Sequence, residues 1–157
     1  ALLDDAQLHE LPRQPAQSAQ AIVEFALAVP MVLTLLFGTL ALSRVIQAQT
    51  AVVAIAHEAA RAGALGSGPS DAIDRIRRRA ELVAPGFGID PRALTLEWDV
   101  STFAADPGRV RASVRYSVEF RDLPVGAVLP SPVVHAEHVE FVDPFRSGIA
   151  SLDAVGP

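Results

Sequence analysis

The strongest constraint on this chain is an apolar stretch near its N-terminus that carries no charged side chain. No Asp, Glu, Lys, Arg or His occurs from Phe25 to Ser43, and the stretch is rich in Ala, Val and Leu. The hydrocarbon core of a bilayer is about 30 Å thick and is crossed by about 20 predominantly apolar helical residues. The stretch therefore predicts a membrane-spanning helix over roughly residues 25–43.

A cleaved secretory signal is the alternative interpretation of this stretch. The apolar region of such a signal is shorter, about 7 to 15 residues, and ends at small residues followed by polar sequence. Here the helical composition continues to Leu65, just before Gly66 and Gly68. We therefore favour an anchor and predict one long helix from Gln20 to Leu65. A kink or local melting is expected near Pro30, because proline removes a backbone hydrogen bond.

Beyond the long helix, the sequence changes from a helical period to a period of two. Ser70 is expected to cap a second helix over residues 71–84. Alternating apolar and polar side chains then predict strands that begin near Leu94 and Val110, and a third strand over Val133–Val142. The predicted fold is α+β, with a small antiparallel sheet of about three strands. Its apolar face should be covered by the second helix or by the distal half of the first.

These patterns divide the chain into three parts. Residues 1–19 contain two prolines and no sustained period, so they are predicted to be a leader or a flexible arm. Residues 20–65 form the long hydrophobic helix, and residues 66–157 form a head domain.

Charge and composition disfavour several classes of function. The net charge is −5 and all 13 basic residues are arginines, scattered except for a cluster at residues 75–79, so nucleic-acid binding is not expected. No Gly-rich phosphate loop or Ser-His-Asp order occurs, so we predict no enzyme and no catalytic residue. A metal site at His135, Glu137 and His138 is disfavoured because on a strand His138 points away from the other two. We accordingly predict no metal and no cofactor.

Glu24 is an acid at the start of the apolar helix. A carboxylate in such a position costs about 2 to 3 kcal/mol unless it is paired. One interpretation places Glu24 at the headgroup boundary, where the helix dipole favours negative charge. In the other, Glu24 pairs with a positive group of a neighbouring subunit or with a new N-terminus. Arg44 is expected either to reach the outer headgroups or to meet Glu24 of an adjacent subunit.

Small residues in the helix would allow another helix to approach closely. They recur at steps of three and four in the distal half, and one more lies in the apolar half. The good helix propensity of alanine explains the same pattern equally well. The candidate contacts are Gly38, Ala56, Ala60 and Gly63.

The segment Gln20–Pro30, QAIVEFALAVP, followed by Leu-rich sequence, resembles the N-terminal signature of TadE-like proteins, the pilin-like proteins of tight-adherence (Tad) pili. The Ala-rich continuation His57–Ala64 is similar to the end of the same helix. The resemblance implies a structural subunit, a pilin or minor pilin, of a type IV pilin-like filament. It also implies a prepilin peptidase cut between Ala19 and Gln20. Subunit contacts would then be made by Glu24, Phe25 and Pro30.

The resemblance also implies a location and partners. The chain would pass once through the bacterial inner membrane with its C-terminal domain outside, and would lie in an extracellular pilus after assembly. Its partners would be copies of itself or other pilins, the pilus assembly platform, a prepilin peptidase, and the lipid bilayer before assembly. The arginine count on either side of the span weakly favours the opposite orientation, since Arg44 and Arg61 follow the span and Arg13 precedes it. Two other functions stay open: a membrane-anchored periplasmic adaptor that enters no filament, and, less favoured, a membrane-tethered enzyme.

Overall fold

The computed structural model describes residues 14–124, 126 and 129–143. It confirms the α+β fold: a long helix, a short second helix and a three-stranded antiparallel sheet. Two short 3-10 helices, Ala84–Phe87 and Pro91–Ala93, connect the second helix to the sheet. The principal elements are α1 (Gln14–Ala64), α2 (Pro69–Val83), β1 (Leu94–Asp99), β2 (Gly108–Ser117) and β3 (Val133–Val142).

Helix α1 begins earlier than the sequence pattern suggests, at Gln14 instead of Gln20. The sequence pattern places Pro15 in a leader or flexible arm, but proline is well tolerated in the first turn of a helix, where its missing N–H has no partner to lose. The helix also continues without interruption through Pro30, so the expectation of local melting there is wrong. One proline removes a single hydrogen bond, and the helix-forming residues on either side retain theirs.

The start of α2 also differs from the prediction. Gly68, not Ser70, is the N-cap residue, and Pro69 is the first helical residue, where its fixed φ suits the helix. The Asp71 carboxylate accepts hydrogen bonds from the Ser67 backbone N–H at 2.8 Å and from the Ser67 hydroxyl at 3.1 Å. These bonds, the backbone one first, lower the pKa of Asp71. The acid in the first turn thus ties the preceding loop to α2, while the helix itself has no side-chain cap, so the expected capping by Ser70 is wrong.

The chain divides into two compact units, the first ending at Leu40 and the second beginning at Ala41. We call the described part of the first unit, residues 14–40, the stem, and the second unit the head. The stem contains only helical residues of α1. The head contains the rest of α1, together with α2 and the sheet, so its helical layer begins well before residue 66.

The sheet of the head is a simple antiparallel meander in the order β1-β2-β3. The central strand β2 buries Val110, Ala112 and Val114 on one face, as its alternating sequence predicts. The opposite face carries ion pairs between strands, such as Arg111 with Glu137 at 2.9 Å. One face of the sheet is therefore apolar and covered, and the other is polar.

Helix α1 contributes an apolar stripe to the core of the head. Ala48, Val52, Ile55 and Ala59 are buried and recur at steps of four and three, the repeat of one helical face. Val52 and Ile55 are fully buried.

Gly63 marks the point where the two helices and the sheet meet. A Cβ added to Gly63 would lie 2.7 Å from Ile76 Cγ1 of α2 and 2.9 Å from Val110 Cγ1 of β2. Such distances are shorter than real Cβ contacts, so only glycine permits this approach. The sheet is thus covered by both helices, the two candidates that the sequence left open.

Candidate assembly site

The stem presents large apolar side chains to its surroundings along its length. Phe25, Leu27 and Met31 are each about 70% exposed (71%, 73% and 69%). A soluble monomer rarely exposes a large contiguous apolar surface, so such a surface marks contact with a membrane or another protein. Other large apolar side chains of the stem that are exposed are Ile22, Val23, Val32, Leu33, Leu35, Leu36 and Leu40.

Among the described residues, one helix is long and apolar enough to cross a membrane, and it lies within Ala19–Ala64. The helix meets this condition by its length and composition. The predicted span, residues 25–43, falls inside this range. The helix is therefore compatible with a membrane anchor near the N-terminus.

Glu24 lies on the exposed surface of the stem. Its carboxylate accepts a hydrogen bond from the Gln20 side-chain amide at 2.9 Å, one helical turn earlier. This bond satisfies one lone pair but leaves the negative charge uncompensated, because the amide is neutral. The structure thus brings together Glu24 and Gln20, a residue of the predicted processing site, while neighbouring Ala19 is also exposed.

Phe25, Pro30 and Gly38 are the remaining predicted contacts in the stem, and all three are exposed. A Cβ added to Gly38 would meet nothing within 4 Å among the described residues. Packing within the described chain therefore does not require glycine at this position. A second helix lying across the stem could use the space.

Three of the predicted subunit contacts are buried inside the head. Ala56 is 1% exposed, Ala60 is 0% exposed, and Gly63 is buried against Ile76 and Val110. A residue enclosed by its own chain offers no surface to another subunit. The sequence pattern correctly indicated close packing, but the partner is the head's own sheet and second helix, so these residues drop out of the assembly site.

Arg44 has a partner that the sequence did not indicate. Both terminal nitrogens of its guanidinium donate to the two carboxylate oxygens of Asp122, a paired geometry that favours arginine. The hydrogen bonds from Arg44 lower the pKa of Asp122. In this structure Arg44 is therefore paired within the head.

The arginine cluster at residues 75–79 is likewise engaged within the head. Arg79 donates to the Glu58 carboxylate of α1 at 2.6 Å, and the Arg77 guanidinium lies 5.3 Å from the centre of the Trp98 ring. Contacts of these kinds join α2 to its neighbours. They support the interpretation of the cluster as a helix surface, not as a site for a polyanion.

The histidine-containing segment of β3 has two different faces. His135 lies 3.2 Å from the Ser113 hydroxyl, and Glu137 accepts from Arg111, so both make contacts on the polar side. His138 lies on the other side, 3.3 Å from the Glu140 carboxylate.

The ring of His57, from α1, packs against His138 with a distance of 4.5 Å between ring centres. The spacing of His138 and Glu140 could have indicated that they share a face of the strand. Nothing local in the sequence points to His57, which lies far away along the chain.

These features define a protein with a candidate N-terminal membrane helix, an apolar stem surface and a small α+β head. The family model described as TadE-like protein matches residues 19–61. The resemblance recognised in the helix is therefore confirmed, and in this segment the chain is similar to a pilus-associated class of proteins. The match ends within α1 and leaves α2 and the sheet outside it. No curated protein and no solved structure matches the chain.

Proposed function

We propose that this protein is a structural subunit, a pilin or minor pilin, of a Tad-type filament, and that it is assembled from the membrane through its stem. The observation that carries the proposal is the exposed apolar surface around Phe25, Leu27 and Met31. Such a surface is stable in lipid and, after extraction from lipid, needs an equally apolar environment. Packing against the stems of other subunits would supply that environment.

Glu24 gives the proposal its specificity. A charge at the edge of an apolar helix is costly in lipid, and a partner of opposite charge on an adjacent subunit or a free amine would remove the cost. The neutral Gln20 amide at 2.9 Å provides a hydrogen bond but no such charge. Glu24 would therefore favour the assembled state over the isolated helix and fix the register between subunits.

The proposed location follows from the same features. Before assembly the stem spans the inner membrane once with the head on the periplasmic side, and after assembly the subunit lies in an extracellular pilus. A prepilin peptidase would cut between Ala19 and Gln20, the assembly platform would extract the subunit, and other pilins or copies of this chain would surround it. Phe25, Pro30 and Gly38 would lie at the contacts between stems.

The test compares filament incorporation of three forms of the full chain in cells that assemble the pilus. Glu24→Ala should remain in the membrane fraction but be absent from sheared surface filaments. The matched control is Glu119→Ala, because Glu119 is an exposed acid of the head whose ion pair with Arg121 is loose, at 3.6 Å. Equal incorporation of Glu24→Ala and the unchanged chain would refute the assembly role of this residue.

Sequencing the N-terminus of the subunit recovered from filaments tests processing separately. We expect Gln20 as the first residue. A filament subunit that retains residues before Gln20 would contradict the proposed cut while leaving the filament proposal intact.

A membrane-anchored adaptor that enters no filament is the second candidate. The hydrogen bond between Gln20 and Glu24 favours it, because a carboxylate with a partner in its own helix could sit at the headgroup boundary without any other subunit. An adaptor would be absent from sheared filaments in every form, including the unchanged chain. The same fractionation therefore separates the two functions.

A further inference from the structure

The fold places two histidines and a glutamate together on the helix-covered side of the sheet. His138 and Glu140 are two residues apart on β3 and share the face that also buries Val134 and Ala136. His57 reaches them from α1. One ligand atom from each of His57, His138 and Glu140 lies within 4.8 Å of the others.

From this arrangement we infer that the head binds a zinc ion between α1 and β3. Two imidazoles and one carboxylate form a donor set that zinc uses, with a water molecule as the fourth ligand. The three side chains are partly exposed, at 46%, 35% and 38%. An ion from solution can therefore reach the site without opening the core.

The distances are close to those that zinc requires. With metal–nitrogen and metal–oxygen bonds of about 2.0 to 2.2 Å, the ligand atoms of a tetrahedral site lie roughly 3.3 to 3.6 Å apart. His138 Nε2 and Glu140 Oε2 are already 3.3 Å apart. The distances from the His57 ligand atom to those of His138 and Glu140 would have to shorten by at most about 1.5 Å. Rotation of the partly exposed His57 side chain can provide this change.

The Glu58 carboxylate lies near the ring of His57. Histidines that bind a metal through one ring nitrogen usually donate the other N–H to a carboxylate or carbonyl group. His57 Nδ1 lies 4.0 Å from the Glu58 carboxylate, beyond hydrogen-bond length, so a small rotation of the ring would be needed for this bond to form. Glu58 is itself fixed by Arg79, through hydrogen bonds of 2.6 and 3.1 Å.

The backbone around the site is held in place before any ion binds. The Gln49 side-chain amide of α1 donates to the His135 carbonyl of β3 at 3.1 Å, two helical turns before His57. Helix α1 is thus anchored along the same strand that carries His138 and Glu140. A bound ion would add a second link between α1 and β3 and would stabilise the folded head, since it binds the unfolded chain more weakly.

The test uses the full chain in detergent micelles, purified without a polyhistidine tag and freed of metal with EDTA. Titration calorimetry with zinc chloride should show one ion bound per chain. His57→Asn and His138→Asn should each weaken binding at least about tenfold, since even outer-shell partners contribute 10- to 100-fold. His9→Asn and His135→Asn replace the other two histidines of the chain and are the matched controls, which should bind as the unchanged protein does.

A second measurement keeps the test valid if a variant binds poorly because it is misfolded. Zinc should raise the thermal unfolding midpoint of the unchanged chain and of His135→Asn, but not that of His57→Asn or Glu140→Gln. The midpoints without zinc report whether each variant is folded. Absence of saturable zinc binding, or equal affinity in His57→Asn and His135→Asn, would overturn the assignment.

Discussion

The contact at Gly63 allows a precise test of how the head is packed. In Gly63→Ala the new methyl group would lie 2.7 Å and 2.9 Å from Ile76 Cγ1 and Cδ1 and 2.9 Å from Val110 Cγ1. Ile76 and Val110 are both fully buried, so neither can move into solvent. The methyl group must therefore push two enclosed side chains out of position.

Two opposing effects set the magnitude of this change. Alanine is favoured over glycine in a helix interior by about 1 kcal/mol. Gly63 is the second-last residue of α1, so this value is the upper bound on the stabilisation of the variant. Overpacking a core typically costs about 1 to 3 kcal/mol. Because three atoms on two different elements crowd the methyl group, we place its cost in the upper half of that range. The expected net loss in the free energy of unfolding is therefore at least about 1 kcal/mol.

The assay is urea unfolding of the full chain in detergent micelles, followed by tryptophan fluorescence. Trp98 is the single tryptophan and lies on β1, so the signal reports on the head. Gly38→Ala is the matched control, because its Cβ would meet nothing within 4 Å among the described residues and it lies in the stem. It should leave the head transition unchanged.

A double-mutant cycle identifies the cause of any loss. Ile76→Ala removes the two atoms closest to the new methyl group, so Gly63→Ala should be neutral or stabilising in that background. Where Ile76→Ala leaves too little folded protein, Val110→Ala supplies the alternative background. A more stable Gly63→Ala, or a cycle without coupling, would refute the packing described here.

Three further predictions concern the stem and the surface of the head. Gly38→Leu should reduce incorporation into filaments without shifting the unfolding midpoint of the head, because the space at Gly38 is open within the described chain; a normal filament yield would contradict close approach there. The lowered pKa of Asp122, caused by Arg44, means that their pairing contributes stability above the ordinary carboxyl pKa of about 3.9 and loses it as the pH falls through the lowered value. Asp122→Asn should therefore flatten, but not abolish, the loss of head stability in acid titrations, and an unchanged acid profile would refute this contribution. Arg79→Ala should cost less than about 1 kcal/mol in urea unfolding, because the pair with Glu58 is partly exposed, at 42% and 33%; a larger cost would show that the pair is more enclosed than these exposures indicate.

The elements of the head were predictable because their signals are local. Alternation of apolar and polar side chains from Arg109 to Phe120 predicts a strand with one buried face, and the observed strand, Gly108–Ser117, ends three residues earlier. The third strand occupies the predicted range, Val133–Val142. The errors at helix ends have equally local causes. The sequence pattern puts Pro15 in the arm before the first helix and starts the second helix after Pro69, whereas both prolines occupy first-turn positions that proline fits well.

The contacts between distant parts of the chain were not predictable from one sequence. Arg44 and Asp122 are 78 positions apart, and no pattern in either neighbourhood points to the other. His57 meets His138 only because α1 covers the same face of β3 on which His138 lies. Ala56 and Ala60 show the same limit, since a row of small residues predicts close packing but does not say what packs against it.

The two glycines of α1 lie in different surroundings. Around Gly63 the head's own sheet and second helix fill the space, while around Gly38 the described chain leaves it open. We expect the assembly surface in the stem, although Leu42, Ile46 and Val53 of α1 are also exposed. In the stem, Glu24 is bonded to Gln20 one helical turn away. A cut before Gln20 would turn the backbone nitrogen of that residue into a positively charged amine on the same turn of helix. Processing and charge neutralisation would then be a single event, because the residue whose neutral side chain already donates to Glu24 would acquire a positive charge.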